Sequence, residues 1–249
     1  MFSIFKKKRS VSVDLSALVT DMHSHLLPGI DDGSPDDATS LTLIKGLQQL
    51  GFRQFITTPH IMWDVHRNNA TSIGGAHAQL QAALQVEQLN VPVRAAAEYF
   101  LDDHFDQLLA QDVPLLTIKD RMVLVEFSFV TMPMNVKEKL FEMQIKGYKP
   151  ILAHPERYSY LLPQKQWYDE LKQAGCYFQV NLLSLTGYYG KPAQELASYL
   201  IKKQYVDFLG TDLHHERHLA ALQSSPLLMD HVKLLLDSGR ILNETLYKG

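Results

Sequence analysis

Seven apolar runs of strand length recur along the chain, at residues 17–22, 54–58, 93–98, 122–127, 150–153, 177–182 and 206–210. Amphipathic stretches of helical period lie between most of them, at 37–50, 76–88, 136–146, 166–174 and 193–203. This alternation limits the fold more than any other feature. A strand with near-continuous apolar sequence must be covered on both faces, and a helix between consecutive strands is the crossover that parallel pairing needs. Helix punctuation agrees. Ser34-Pro35-Asp36-Asp37 supplies cap and first-turn residues, while Gly51, Gly147 and Gly175 follow the last periodic residues of three helices. The expectation is an α/β fold, a TIM-like barrel of about seven strand–helix units, with an open doubly wound sheet as the runner-up. The 249 residues suit a single domain of that kind, and no Pro-, Gly- or Ser-rich linker divides them. The longest polar loop inside the domain spans 61–75, just after a strand, where active-site lids often sit.

The strand exits carry the chemistry. Strand one runs into Asp21-Met22-His23-Ser24-His25, strand two into Thr57-Thr58-Pro59-His60, strand three into Glu98 and strand four into Glu126. Strand five runs into His154-Pro155-Glu156-Arg157, and strand seven into Thr211-Asp212-Leu213-His214. In a parallel barrel these ends converge on one rim. Random placement would not put His, Asp or Glu at nearly every exit.

Taken singly, the residues say less. A His-x-His pair such as His23 and His25 shares one face of an extended strand and can grip a cation, yet it is commonly incidental. Asp31-Asp32-Gly33 alone reads as a turn before a helix, and His60 alone as a hydrogen-bonded core histidine. Glu98 and Glu126 are more telling, because a carboxylate in an apolar strand costs several kcal/mol unless it is paired or bound to metal. No run of interior basic residues serves both. Together with Asp32, Asp212 and His214, they form an oxygen-and-imidazole donor set without thiolate, suited to two or three Mn, Fe, Zn or Mg ions.

Arg157 and Arg217 each follow a rim histidine by three residues, and guanidinium grips phosphate oxygens bidentately. The competing reading for each is a surface salt bridge. Trp63, His66 and Arg67 in the long loop are candidates for substrate contact, or else simply face solvent. His77, His104, His215 and His218 read as surface residues. Cys176 lacks the arginine six residues on that a cysteine-based phosphatase needs, since Leu182 stands there, so it reads as a packing residue.

Composition narrows the partners. With 24 Lys and Arg against 27 Asp and Glu, the net charge of −3 gives no bulk attraction to nucleic acid or anionic membrane. No apolar run reaches membrane-spanning length, and one cysteine fits a reducing compartment, so the cytoplasm is the default location. The basic opening Lys6-Lys7-Lys8-Arg9 reads either as a weak contact for a membrane surface or acidic partner, or as a solvated terminus.

As an ordered series, these motifs resemble the polymerase-and-histidinol-phosphatase (PHP) superfamily. Within it, the chain is similar to the manganese-dependent protein-tyrosine phosphatases of bacterial capsule and exopolysaccharide operons. The resemblance runs from about Val19 to His214, through Asp21-Met22-His23-Ser24-His25, Asp31-Asp32-Gly33, Thr58-Pro59-His60, Ala97-Glu98, Val125-Glu126-Phe127-Ser128, Ala153-His154-Pro155-Glu156-Arg157-Tyr158, Cys176-Tyr177-Phe178-Gln179-Val180-Asn181 and Thr211-Asp212-Leu213-His214. It implies a distorted seven-stranded barrel over 19–249, with 1–18 as an extension, and three metal ions, manganese foremost. His23, His25, Glu98 and Asp212 would hold the first ion. Glu98 would bridge to a second, shared with Glu126 and His154, and Asp32, His60 and His214 would hold the third. The implied substrate is phosphotyrosine on a cytoplasmic tyrosine autokinase that regulates polysaccharide export. Arg157 and Arg217 would assist the reaction, an attack on phosphorus by hydroxide held between two ions. Histidinol phosphatase is the nearest rival. An amidohydrolase would carry a bridging lysine where Glu126 stands, and a catalytically silent metal-binding module would bind ions without hydrolysing any ester.

Overall fold

A computed structural model describes residues 13–225 and 227–246. The basic segment Lys6-Lys7-Lys8-Arg9 lies outside the described residues. Nine strands occur among the described residues: β1 (Thr20–Asp21), β2 (Gln54–Thr57), β3 (His60–Ile61), β4 (Val93–Ala95), β5 (Glu98–Phe100), β6 (Met122–Glu126), β7 (Lys149–Ala153), β8 (Tyr177–Asn181) and β9 (Phe208–Gly210). Every pairing among them is parallel, in a sheet of order β1-β2-β4 and another of order β3-β5-β6-β7-β8-β9.

The nine strands lie on the seven lines that the apolar runs predict, because two lines are interrupted. Pro59 offers no N–H to a ladder, and the chain leaves regular pairing at Thr58-Pro59 and, alongside, at Ala96-Ala97. Register survives the break. Thr57 pairs with Ala95 before it and His60 with Glu98 after it, while the Ala96 and Glu98 N–H groups donate to the Thr57 and Pro59 carbonyls. Glu98 therefore opens a strand segment rather than ending one. The first line is shorter than expected: residues 16–18 form a 3-10 turn, and only Thr20–Asp21 is strand.

The described residues also form eight α-helices: α1 (Asp37–Gln49), α2 (Ala70–Val86), α3 (Asp103–Ala110), α4 (Val136–Ile145), α5 (Gln166–Gln173), α6 (Lys191–Lys202), α7 (Glu216–Gln223) and α8 (Leu228–Asp237). Asp36 caps α1 by accepting from the Thr39 N–H, as its position before the apolar stripe requires. The loop expected over 61–75 is shorter, because α2 begins at Ala70. Asn69 accepts from the Thr71 and Ser72 N–H groups and the Ser72 hydroxyl accepts from the Asn69 N–H, a closed cap that outweighs the poor helix propensity of Gly74 and Gly75. Among the described residues, no helix is long and apolar enough to cross a membrane.

Apolar side chains segregate by strand parity. Val123, Val125, Leu152, Phe178, Val180 and Leu209 join the large cluster beneath the helices. Met22, Ile56, Ala96, Leu124, Ile151, Ala153 and Phe208 form a separate inner cluster with Ile118 and Leu246, against which Tyr177 packs. Glu98 and Glu126 stand two residues after Ala96 and Leu124, so they share the inward parity and rise above this apolar floor. Residues 13–18 belong to the packed body: Val13, Leu15 and Leu18 are buried, and the Leu15 N–H donates to the Leu50 carbonyl.

Candidate metal centre and active-site cavity

The nine residues singled out at the strand exits gather in one place. His23 Nε2 lies 3.1 Å from Glu98 Oε2 and 3.4 Å from Asp212 Oδ1, and His25 Nε2 lies 3.4 and 3.6 Å from the same two oxygens. His60 Nδ1 is 3.0 Å from Glu126 Oε1 and 3.3 Å from Glu98 Oε2. His154 Nε2 is 3.0 Å from Glu98 Oε1 and 3.9 Å from Glu126 Oε2. On the outer side, His60 Nε2 and His214 Nε2 each lie 3.5 Å from Asp32 Oδ1.

Three groups have donor atoms close enough to share an ion: His23, His25, Glu98 and Asp212; His60, Glu98 and Glu126; and His25, Asp32, His60 and His214. The first matches the set implied by the resemblance. The second has His60 where the resemblance puts His154, and the third adds His25, which is also in the first.

The donor chemistry fits cations. Glu98 and Glu126 are fully buried, and among the described residues they form ion pairs with imidazoles and with no lysine or arginine. His25 Nε2, His60 Nδ1, Glu98 Oε1 and Glu126 Oε1 are buried and lack any hydrogen-bond partner among the described residues, although they crowd together. Native interiors rarely leave polar atoms in that condition. Three imidazoles are also fixed from behind. His23 Nδ1 donates to Gln179 Oε1 at 2.7 Å, His25 Nδ1 to Asp31 Oδ2 at 2.7 Å, and His214 Nδ1 to the Asp212 carbonyl at 3.0 Å. Each bond turns Nε2 toward the centre, the arrangement that orients metal-binding histidines.

Without a cation the carboxylates hold protons on the rings. Burial alone would lower the His23 pKa, but the charges of Glu98 and Asp212 raise it to about 9. His25 is likewise raised against burial, chiefly by Asp31. Burial opposes ionisation of Glu98 and Asp212, yet His23 beside both holds them well below the usual carboxylate range. Asp31, pulled down against burial by His25 and His60, falls to about 2.

The backbone makes room for this crowding. Gly33 passes so close to His25 that a Cβ would stand 2.4 Å from the His25 carbonyl oxygen and Cβ. His154 and Asp212 leave β7 and β9 with φ of 33° and 49°, a region most side chains avoid. That bend points both at the cluster instead of continuing the strand alternation.

A cavity of about 230 Å³ opens above the cluster, lined by Asp32, His60, Glu126, His154, Asp212 and His214 together with Phe129, Arg157, Tyr189, His215 and His218. Arg157 Nη1 donates to Asp212 Oδ2 at 3.0 Å. Its guanidinium carbon lies 4.5 Å from the Phe129 ring centre and 4.3 Å from that of Tyr189, so both rings pack against it.

Comparison with known proteins places this geometry. Residues 19–227 match the family described as capsular polysaccharide synthesis, CpsB/CapC. The chain belongs to the CpsB/CapC family. It is 30% identical over 196 residues to tyrosine-protein phosphatase YwqE of Bacillus subtilis, covering 78% of this chain and 77% of that protein. It is 27% identical over 202 residues to tyrosine-protein phosphatase CpsB of Streptococcus agalactiae, covering 78% and 82% respectively. A chain from the crystal structures of YwqE from B. subtilis and CpsB from Streptococcus pneumoniae, described there as unique metal-dependent tyrosine phosphatases, superposes with a TM-score of 0.73. The match has 29% identity and covers 89% of this chain and 96% of that one.

Other residues of this CpsB/CapC chain fall less uniformly. Arg217 lies exposed on α7 and does not line the cavity. His215 and His218, which read as surface residues, do line it, because the bend at Asp212 turns the start of α7 over the rim. Burial lowers His218 to a pKa of about 4, so it is neutral near pH 7. His66 borders the outer group, 3.8 Å from Asp32 Oδ1. Trp63 stacks on His104 instead, and Arg67 Nε donates to the Trp63 carbonyl, so neither lines the cavity. Cys176 is buried, its thiol pushed up to about 12 by burial, as suits packing.

Sequence reasoning gave no role to several supporting residues. Gln179 and Asn181 stand at inward positions of β8, and Asn181 Nδ2 donates to Asp212 Oδ2 at 2.7 Å. Glu156 is fully buried and accepts from the Asn181 N–H and Ser184 hydroxyl, joining the loops after β7 and β8. Polar residues at inward strand positions were the available signal.

Proposed function

We propose that the chain is a divalent-metal-dependent protein-tyrosine phosphatase, acting in the cytoplasm on a phosphotyrosine protein, a tyrosine autokinase of polysaccharide export. The observation that carries this reading is the buried cluster of imidazoles and carboxylates under a cavity that also presents Arg157. Membership of a family with relatives named tyrosine-protein phosphatases supplies the substrate class. Manganese is the favoured metal and three the favoured number, supported by three overlapping donor groups of oxygen and nitrogen.

The seven strand lines are read as a distorted barrel over residues 19–249. Two features support closure: the inner cluster draws from all but the β8 line, on which Tyr177 packs against it, and the exits of β1 and β9 exchange backbone hydrogen bonds. The Asp212 N–H donates to the His23 carbonyl, and the His25 N–H to the Leu213 carbonyl.

Bound divalent ions supply water acidified toward neutral pH and positive charge for the phosphoryl oxygens. His23, His25 and Asp212 would hold one ion with Glu98. Glu98 would extend to a second beside Glu126, with His60 and His154 adjacent, and Asp32, His60 and His214 would hold the third. Arg157 grips phosphoryl oxygens. Its bond to Asp212 Oδ2 fixes the fork and leaves Asp212 Oδ1 facing the histidines. A tyrosine leaving group, with a reference pKa of about 10, departs without a dedicated proton donor.

The test is to measure metal content and hydrolysis of a phosphotyrosine peptide before chelation, after it, and after manganese return, with histidinol phosphate as competitor substrate. Activity should vanish and return with metal, and the peptide should be preferred. Glu98→Gln should lower both occupancy and rate, the rate by about 100-fold or more if Glu98 bridges two ions. Preference for histidinol phosphate, or activity indifferent to chelation, would sink the reading.

A further inference from the structure

An aryl ester differs from an alkyl ester by the ring that leaves with the oxygen, so a site selective for phosphotyrosine needs apolar surface beside its phosphate grip. Carbocyclic rings among the cavity-lining residues belong to Phe129 and Tyr189 alone. Tyr189 is largely buried. Phe129 retains 45% of its surface in the open, although its ring also packs on His154, with ring centres 5.5 Å apart, and on Tyr158 at 5.8 Å. An exposed ring propped from beneath by two others is a rigid platform rather than a mobile side chain.

Its position relative to the phosphate grip is fixed as well. The Phe129 ring centre lies 4.5 Å from the Arg157 guanidinium carbon. The ring of a tyrosine is one bond from its ester oxygen, so a phosphoryl group held by that fork would bring the ring within reach of Phe129. Offset or edge-to-face packing needs ring centres roughly 4.5–7 Å apart, which this placement allows. Trp63, the other exposed aromatic considered for substrate contact, is engaged with His104 and does not reach the cavity.

We infer that Phe129 is a specificity-determining residue, the surface on which the leaving tyrosine ring rests, and that it sets the preference for aryl over alkyl phosphate esters. The inference rests on the phosphatase reading above. A serine or threonine ester makes no equivalent contact and gains nothing from the ring.

The decisive measurement compares Phe129→Ala with the unmodified, manganese-loaded protein on two peptides that differ only in phosphotyrosine or phosphoserine, alongside inhibition by inorganic phosphate. The ratio of kcat/KM values, phosphotyrosine over phosphoserine, should fall roughly tenfold in the variant. Inhibition by inorganic phosphate, which has no ring, should hold, and Phe129→Tyr should restore the ratio. An unchanged ratio would overturn the inference. So would phosphate inhibition weakening in step with phosphotyrosine turnover, since Phe129 would then only prop Arg157. If the unmodified protein hydrolyses neither peptide, the phosphatase reading itself fails, and the inference with it.

Discussion

At the scale of single residues, the centre balances imidazoles such as His23 and His25 against carboxylates that burial would otherwise keep neutral. In the metal-free protein that balance is kept by protons. His23 titrates near 9 when folded and near 6.5 when unfolded, so its charged form stabilises the fold below about 6.5, and that stability is lost as pH rises through about 9. Metal-free protein should therefore lose thermal stability across this interval, whereas metal-loaded protein should not. A second consequence follows from the same balance. A cation taking His23 Nε2 must displace a proton near neutral pH, so manganese uptake should release protons, and fewer as pH approaches 9. Calorimetric titration in buffers of different ionisation enthalpy measures this directly. A heat of binding independent of buffer would mean that His23 carries no proton to lose.

At the scale of elements, what the sequence revealed depended on the length and composition of each piece. The apolar lines of β6, β7 and β8 and the stripes of α1, α4, α5 and α6 were legible because each repeats its period over several residues. Helices α3, α7 and α8 have no counterpart among the predicted stretches, and length alone does not explain it, since α5 is as short as α3 and α7. Most of the metal-centre candidates were legible because they end a strand line, follow it or stand where it is interrupted, a register that sequence shows. Phe129, Tyr189, His215 and His218 were not, because they reach the cavity from loops and a helix start whose course only tertiary packing decides. The misplaced start of α2 shows the same limit: its first turns are Ala-Thr-Ser-Ile-Gly-Gly, weak in propensity, and the helix depends on Asn69. Replacing Asn69 by Ala should cost about 1 kcal/mol, read as a lower urea midpoint, while Asn69→Asp should keep most of it. Asn68 ties the adjoining loop to the Ile30 and His60 carbonyls, so fraying there would be felt at the rim. Equal midpoints for Ala and Asn would show that the stripe Ile73, Ala76, Leu80 and Leu84 sustains the helix without its cap.

For the whole molecule, the weak point is the seam between the first strand line and the last. β1 and β9 are not paired as strands, and the backbone bonds between them lie beyond their exits, at His23, His25, Asp212 and Leu213. Below that point a side chain takes over the role of a ladder rung. Asn243 is fully buried; its Oδ1 accepts from the Leu209 N–H, and its Nδ2 donates to the carbonyls of Leu209 and Thr20. The turn it opens sends Leu246 into the inner cluster, so floor and seam are closed by the same segment. Asn243→Ala would leave three buried backbone groups without partners, at about 1 kcal/mol or more each, for a loss on the order of 3 kcal/mol in denaturant unfolding. The effect should extend to the site, because His23 follows β1 and Asp212 follows β9, and their separation is set by this seam. Manganese affinity should fall in Asn243→Ala even though Asn243 touches none of the donor atoms. A loss under about 1 kcal/mol with unchanged affinity would mean that the exits hold each other in place without help from below.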